Sequence, residues 1–239
     1  MKLIFVPPFD ENGDAHIAQK DIHHIKNVLR KEKGDSIVIS DGKKSYSGII
    51  STMKENEIII SQPTPLQKKR SLEITLAHSL IKAPNIELSL SKVVETGVTL
   101  YQPIISERSY MKSVEFIQKK QERLLRKIEE SSKQCGRSNL MELATPISLK
   151  EFLIKEENKN RLNLFLEING ENNFRKIVDK KINVSSVSVL IGPEGGFSPQ
   201  EEQTIKEAGF FSISLGKQLL RSETAAIVTT GIIQALLDN

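Results

Sequence analysis

The sequence predicts an α/β protein in which a small β-rich domain precedes a larger domain built on a parallel sheet. Two observations carry this. From Leu72 onward, apolar strand-type runs alternate with helix-type segments, the pattern of βα units with both sheet faces covered. Before that point short strand-type runs surround a single helix, which suits a small barrel. Between them stands Gln62-Pro-Thr-Pro-Leu-Gln-Lys-Lys-Arg70, whose prolines and basic cluster read as an interdomain linker. The domains are placed at 1–68 and 72–239.

In the first domain, Leu3 to Val6 is a short apolar run and Ser36 to Ser40 alternates around Ile37 and Ile39. Asp41-Gly42 is a turn signal, and the runs Tyr46 to Ile50 and Glu57 to Ser61 complete the β set. Lys20 to Arg30 is expected as a helix with Ile22, Ile25, Val28 and Leu29 on one face. In the second domain, strands are expected at Leu72–His78, Tyr101–Ser106, Leu162–Leu166, Ser186–Ile191 and Phe210–Leu215. Helices are expected at Asn85–Gly97, turning Ile86, Leu90, Val93 and Val94 inward, and at Ser113–Cys135, with Phe116, Leu124, Leu125 and Ile128. Further helices follow the last two strands.

Composition narrows the class. The chain has 239 residues, enough to bury a sizeable core. A net charge of +4 and a pI near 9.0 lean towards an anionic partner, of which nucleic acid is the commonest, though a soluble lysine-rich surface gives the same numbers. Residues 1–70 carry 12 Lys and Arg against 9 Asp and Glu, and this surplus ends in Lys68-Lys69-Arg70. One cysteine excludes a disulfide framework and a multi-cysteine zinc site. The longest apolar segment, Ala225 to Leu237, falls short of the ~20 residues of a membrane span. The apolar start before Pro7-Pro8 is too short for a signal-peptide core, so a cytoplasmic protein is expected.

Two glycine-bearing segments carry the chemistry: Ile191-Gly-Pro-Glu-Gly-Gly-Phe-Ser198 and Leu215-Gly-Lys-Gln-Leu-Leu-Arg-Ser-Glu-Thr-Ala225. Each follows a strand-type run and opens into a helix, and open α/β sheets bind ligands at the carboxyl ends of their strands. In the first, Pro193 fixes φ while Gly195 and Gly196 permit close backbone approach. Ser198, Pro199 and Glu201 suit the N-cap, the first helical position and a capping box. Glu194, flanked by glycines, suits a ligand or a neighbouring loop better than a core. In the second, Leu219 and Leu220 read as core residues. Arg221 suits either a phosphate or substrate carbonyl, or an ion pair with Glu223 or Glu194.

Other readings fall away. There is no Gly-x-Gly-x-x-Gly after a strand, no P-loop and no Gly-x-Ser-x-Gly elbow. His16, His23, His24 and His78 have no metal-ligand spacing. Cys135 beside Gly136-Arg137 reads as a buried structural thiol rather than a nucleophile. The Lys119 to Lys127 run reads as a solvated helix face.

Taken together, these motifs resemble the RsmE-type ribosomal RNA small subunit methyltransferases of the SPOUT (trefoil-knot) superfamily. The resemblance spans essentially the whole chain. It runs through His23-His24-Ile-Lys-Asn-Val-Leu-Arg30, Ser91-Lys-Val-Val-Glu-Thr-Gly-Val98, Pro103-Ile-Ile-Ser-Glu-Arg-Ser109 and Gln134-Cys-Gly-Arg137. It is most specific in Leu190-Ile-Gly-Pro-Glu-Gly-Gly-Phe-Ser198 and in Leu215-Gly followed by Leu220-Arg-Ser-Glu-Thr-Ala-Ala226. Thr96 stands where the family usually has Leu, and Ala83-Pro84-Asn85 replaces a more typical Gly-Asp/Glu-Lys.

The resemblance implies a PUA-like RNA-binding barrel, an α/β domain with a deep C-terminal trefoil knot, and a homodimer. It implies S-adenosylmethionine as cofactor, held without a metal by three loops: Leu166-Glu-Ile168, Ile191 to Gly196, and Leu215 to Ala225. The expected cofactor residues are therefore Leu166, Glu167, Ile191, Gly192, Gly195, Gly196, Leu215, Gly216, Leu220, Thr224 and Ala225. The implied reaction is methylation at N3 of a uridine near the 3′ end of 16S rRNA, on naked rRNA or the small subunit. Arg221 is expected to stabilise charge on a uracil oxygen, and Glu194 to act as base or to orient Arg221. Arg30, Lys68, Lys69, Arg70 and Arg137 are expected RNA contacts. The rivals are methylation of another RNA position and a non-catalytic ribosome-assembly factor; intact Gly192, Glu194, Gly216, Arg221, Glu223 and Thr224 argue against the latter.

Overall fold

A computed structural model describes residues 4–67, 72–112, 115–155, 158, 161–168, 170, 174 and 184–237. Lys68, Lys69 and Arg70 lie outside the described residues. Compact packing divides the chain into two units, 1–70 with 132–140, and 71–131 with 141–239.

The first unit contains β1 (Ile4–Phe5), β2 (Ala15–His16), α1 (Gln19–His23), β3 (Ser36–Ser40), β4 (Ser45–Met53) and β5 (Ile58–Pro65). The strands form one sheet in the order β1-β3-β4-β5-β2, with β1 parallel to β3 and the other pairs antiparallel. Register shifts between Ser47 and Ile49 and between Ile50 and Thr52 mark irregularities that increase local twist. Alternating residues such as Ile37 and Ile39, and Ile58 and Ile60, fill the core together with Ile22 and Ile25.

The expected helix is real but changes type. After α1 it continues as a π-helical turn, His24–Val28, in which the Leu29 N–H donates to the His24 carbonyl five residues back. The wider turn rotates Val28 off the core face, leaving it 60% exposed, where a regular helix would have buried it. Arg30 follows, exposed and with φ of 50°, a left-handed conformation unusual for a residue with a side chain.

Residues 132–140 pack with this unit, although the sequence places them in the second domain. The physical reason is a set of polar contacts. Lys133 and Asp21, both buried, form an ion pair at 3.2 Å. The Ser40 hydroxyl donates to the Ser138 carbonyl at 2.5 Å, and the Leu140 N–H to the Gly42 carbonyl at 2.9 Å. Cys135 is exposed rather than buried, because it ends its helix beyond the buried Ser131–Lys133, where Gln134 and Gly136 are exposed too; its Sγ makes a weak 3.6 Å contact to the Ser132 carbonyl.

The second unit contains β6 (Glu73–Ser79), α2 (Ala83–Glu95), β7 (Leu100–Ile105), α3 (Glu115–Cys135, its end in the first unit), β8 (Glu142–Leu143), β9 (Ile147–Ser148) and α4 (Leu149–Leu153). It continues with β10 (Leu162–Leu166), β11 (Ser186–Ile191), α5 (Pro199–Glu207), β12 (Phe211–Ile213) and α6 (Ser222–Leu237). The sheet order is β12-β10-β11-β6-β7-β8, with β9 also on β7, and every pair is parallel. Successive residues of one strand enter different cores. Leu76, Leu164 and Val189 join one cluster with Leu90, Leu124 and Ala226, while Ala77, Phe165 and Leu190 join another with Phe152, Ile205 and Phe210. Both faces are thus covered, which explains the near-continuous apolar runs.

Three details depart from the sequence expectation. Leu125 is 44% exposed, while Ile117, Leu124 and Ile128 carry the buried stripe of α3. The cationic face of α3 is not merely solvated: Lys120, Arg123 and Lys127 surround the buried Glu87 carboxylate at 3.8, 2.7 and 3.7 Å. The last expected strand is shorter, because after Ile213 the chain leaves the sheet into the loop that bears the site. Thr96 and Thr230 share a 2.6 Å hydrogen bond from the end of α2 to α6, a polar contact that Leu would not make.

Removing one member of a buried ion pair strands the other. Lys133→Ala is expected to cost about 3–5 kcal/mol of unfolding free energy, and the double replacement Lys133→Met with Asp21→Leu to recover most of it. Urea denaturation of the unmodified protein and the two variants checks this; an unchanged Lys133→Ala midpoint contradicts it.

Candidate functional site

Parallel pairing puts the carboxyl ends of all strands at one edge. Leu166 of β10 pairs with Ile213 of β12, Phe165 with Leu190 of β11, and Ile191 with His78 of β6. The loops leaving β10, β11 and β12 therefore emerge side by side around a cavity of about 450 Å³, within the usual range of small-molecule sites.

Of the residues expected to bind a cofactor, Leu166, Glu167, Ile191, Gly192, Gly195, Gly196, Leu215, Gly216, Leu220 and Ala225 line this cavity, and Glu194 lines it too. Thr224 and Arg221 are exposed at the entry to α6, outside that lining. Leu219 is not a core residue: it is 75% exposed and lines the cavity, because residues 214–221 form no helix or strand that would turn it inward. Arg30 and Arg137 belong to the first unit, and burial lowers the Arg137 guanidinium below its ordinary pKa.

Two serines tie the three loops together. The Ser214 hydroxyl donates to the Ile168 carbonyl at 2.9 Å and accepts from the Gly216 N–H at 3.2 Å. The Ser222 hydroxyl donates to the Gly192 carbonyl at 2.5 Å. Gly196 (φ 67°) and Gly216 (φ 116°) take backbone conformations that side chains disfavour, so the glycines are needed for the shape of the turns. The expected capping box is present, with Glu201 N–H donating to Ser198 Oγ at 3.3 Å and Ser198 N–H to Glu201 Oε2 at 3.0 Å. Glu194 addresses a neighbouring loop, accepting from the Lys82 N–H at 3.4 Å. Glu223 lies buried in the first turn of α6, its Oε2 without a hydrogen-bond partner among the described residues.

The charged lining is mainly acidic. Among the described residues, Glu167, Glu194 and Glu202 contribute carboxylates to the lining and Arg108 a guanidinium. Arg108 Nη1 donates to the Gly195 carbonyl at 2.9 Å and the Phe197 carbonyl at 3.2 Å, so much of its role is to clamp the glycine turn. Burial first, then the Glu167 carboxylate, raises the Glu202 carboxyl above its ordinary pKa; Lys206, 3.4 Å from Glu167, offsets part of this. Such a rim favours a ligand with positive charge. Among the described residues no cluster of three His, Cys, Asp or Glu side chains forms a metal site.

Sequence reasoning missed Arg108, Glu202, Ser214 and Ser222. Arg108 and Ser222 lay within the matched stretches, but nothing in their type marked them; Ser214 and Glu202 carried no motif. It also set His78 aside. His78 is fully buried at the end of β6, with Nδ1 2.7 Å from the Tyr101 hydroxyl and Nε2 2.8 Å from the Ser222 hydroxyl. Burial pushes its pKa down to about 3, and burial likewise raises that of Tyr101.

The fold and the site together define a parallel-sheet domain with a small-molecule cavity at its strand ends, preceded in the chain by a small β-unit. The RNA methyltransferase domain family matches residues 68–234, and the RNA methyltransferase PUA domain family matches residues 17–62. A ribosomal RNA small subunit methyltransferase E from Aquifex aeolicus is 33% identical over 222 residues, covering 91% of this chain and 92% of its own. The Synechocystis protein of the same name is 28% identical over 240 residues, covering 100% of this chain and 78% of its own. The crystal structure of the Neisseria gonorrhoeae ribosomal RNA small subunit methyltransferase E, bound to S-adenosyl methionine, superposes with a TM-score of 0.79 at 27% identity, covering 100% of this chain and 98% of that one. The chain belongs to the RNA methyltransferase family, and within it to the ribosomal RNA small subunit methyltransferases E.

The buried histidine predicts a pH dependence. Its folded pKa, about 3, lies below the ordinary 6.5, so below pH 6.5 the unfolded chain takes up a proton that the folded chain refuses. Stability is thus fully present above 6.5 and falls as pH drops towards 3, by up to about 1.4 kcal/mol per pH unit from this group. Urea denaturation at pH 7 and pH 5 should show a shallower loss for His78→Gln; identical slopes contradict the assignment.

Proposed function

We propose that the protein transfers a methyl group from S-adenosylmethionine to N3 of one uridine near the 3′ end of 16S rRNA, in the small ribosomal subunit. The observation that carries this is the acidic, glycine-walled cavity at the ends of β10, β11 and β12, in a chain of this family. The residues present fit the cofactor. A sulfonium ion carries positive charge, which Glu167, Glu194 and Glu202 complement. Leu166, Ile191 and Leu220 give apolar walls for a purine, and the turns at Gly192 and Gly216 let backbone groups approach closely. When bound, S-adenosylmethionine supplies an electrophilic methyl group that needs no metal for its transfer.

The rest falls to this chain's own side chains. Uracil N3–H is a weak acid, so negative charge must be stabilised as the proton leaves. Arg221, exposed where the chain enters α6, is the residue assigned to a uracil oxygen. Glu194 is assigned as base or as the partner that orients Arg221, and Thr224 to the cofactor as it settles. Arg30, Arg137 and the Lys68-Lys69-Arg70 cluster are assigned to RNA phosphates. The reading includes two domains that divide near residue 70, with residues 132–140 returned to the first, a C-terminal trefoil knot, a homodimer and a cytoplasmic location.

Methyl transfer from labelled S-adenosylmethionine to small subunits lacking the modification, with naked 16S rRNA alongside, tests the reading. Nucleoside mass spectrometry should find a single N3-methyluridine; a different methylated position, or no incorporation despite cofactor binding, overturns it. Arg221→Ala should slow single-turnover transfer by about 10²–10³-fold while changing cofactor Kd less than about threefold. Equal losses in both would remove the catalytic assignment of Arg221.

A further inference from the structure

His78 has no place in the chemistry above, yet it sits beside the site. It pairs across the sheet with Ile191, the residue before Gly192, and is completely buried. Its two nitrogens face different elements: Nδ1 meets Tyr101 of β7, with Ser89 of α2 at 3.4 Å, and Nε2 meets Ser222 at the start of α6.

The proton positions follow from the partners. A carbonyl oxygen only accepts, so the one hydroxyl proton of Ser222 is committed to Gly192, 2.5 Å away. Ser222 Oγ must then accept from His78, which places the imidazole proton on Nε2. Nδ1 is left as an acceptor, and the Tyr101 hydroxyl donates to it at 2.7 Å. The result is a one-way chain: Tyr101 O–H to His78 Nδ1, His78 Nε2–H to Ser222 Oγ, Ser222 O–H to the Gly192 carbonyl. The opposite tautomer would invite the Ser222 proton to turn towards Nε2 and leave the Gly192 carbonyl without this partner. Burial favours the neutral ring that the chain requires.

We propose that His78 is a positioning residue for cofactor binding: its Nε2–H tautomer holds the Ser222 hydroxyl on the Gly192 carbonyl and so sets the glycine turn that walls the cavity. Gly192 precedes Pro193, which has no N–H, and ring atoms of Phe197 stand 3.3 Å from where a Gly192 Cβ would be. The orientation of that carbonyl therefore fixes the wall between Ile191 and Gly196. The inference rests on the reading of this cavity as the S-adenosylmethionine site.

The test uses the full chain and isothermal titration with S-adenosylmethionine. Gln can reproduce the pattern, its carbonyl accepting from Tyr101 and its amide donating to Ser222, whereas Leu and Ser222→Ala cannot. His78→Leu and Ser222→Ala should each weaken binding about tenfold, and His78→Gln should stay within about threefold of the unmodified protein. Ser222→Ala removes a single oxygen atom, so it decides the matter if His78→Leu does not fold. A purely structural role would lower Tm without moving Kd in the folded variants, and that result overturns the proposal. Nitrogen-15 spectra of histidine-labelled protein without cofactor give an independent reading. They should show His78 protonated at Nε2 and not titrating between pH 8 and pH 5; an Nδ1–H tautomer overturns the hydrogen-bond chain. Absence of S-adenosylmethionine binding by the unmodified protein overturns the functional reading, and with it the cofactor role of His78, whereas the spectra judge the tautomer in either case.

Discussion

Parallel pairing across β12, β10, β11 and β6 is the constraint from which the site follows. A parallel sheet sends every connection back across a face, so the outgoing loops collect at one edge. Here those loops begin at Leu166, Ile191 and Ile213, which the strand register holds near one another. The sheet stays in place because its two faces bury separate apolar clusters, one against α2, α3 and α6 and one against α4 and α5. A slip of one residue would exchange the two faces and carry Ile191 away from His78.

On this frame a few polar joints set the fine geometry. Ser214, Ser222, His78 and Arg108 each fix a loop carbonyl or pass a hydrogen bond to one that does. Such joints suit a binding site because a buried polar group left unpaired is costly, which discourages alternative loop conformations. The same logic holds away from the cavity, where Glu87 is surrounded by three cations and Asp21 is matched by Lys133. Lys120, Arg123, Lys127 and Lys133 of α3 are thus matched by buried carboxylates of the same chain, while the cavity lining carries the acidic Glu167, Glu194 and Glu202 that suit a sulfonium ligand.

Much of this was legible in the sequence, for identifiable reasons. The βα alternation, the capping box at Ser198 and Glu201, and the glycine turns depend on local propensity and spacing, which one chain displays directly. The π-helical turn at His24–Val28 was not legible, because tertiary packing chooses it over the regular helix. Leu219 was misassigned as core because hydrophobicity alone does not distinguish a cavity wall from an interior. The return of residues 132–140 to the first unit depends on a lysine and an aspartate 112 positions apart, a separation no local pattern reveals. Ser222, Ser214 and His78 act through contacts of the same kind, so their types carried no signal beforehand.

A crystal structure of the protein with S-adenosylmethionine tests the central claim most directly. The cofactor is expected within the cavity, between Leu166–Ile168, Ile191–Gly196 and Leu215–Ala225, with the Ser222–Gly192 hydrogen bond intact. Cofactor bound elsewhere on the protein, or an empty cavity at saturating cofactor, would contradict it.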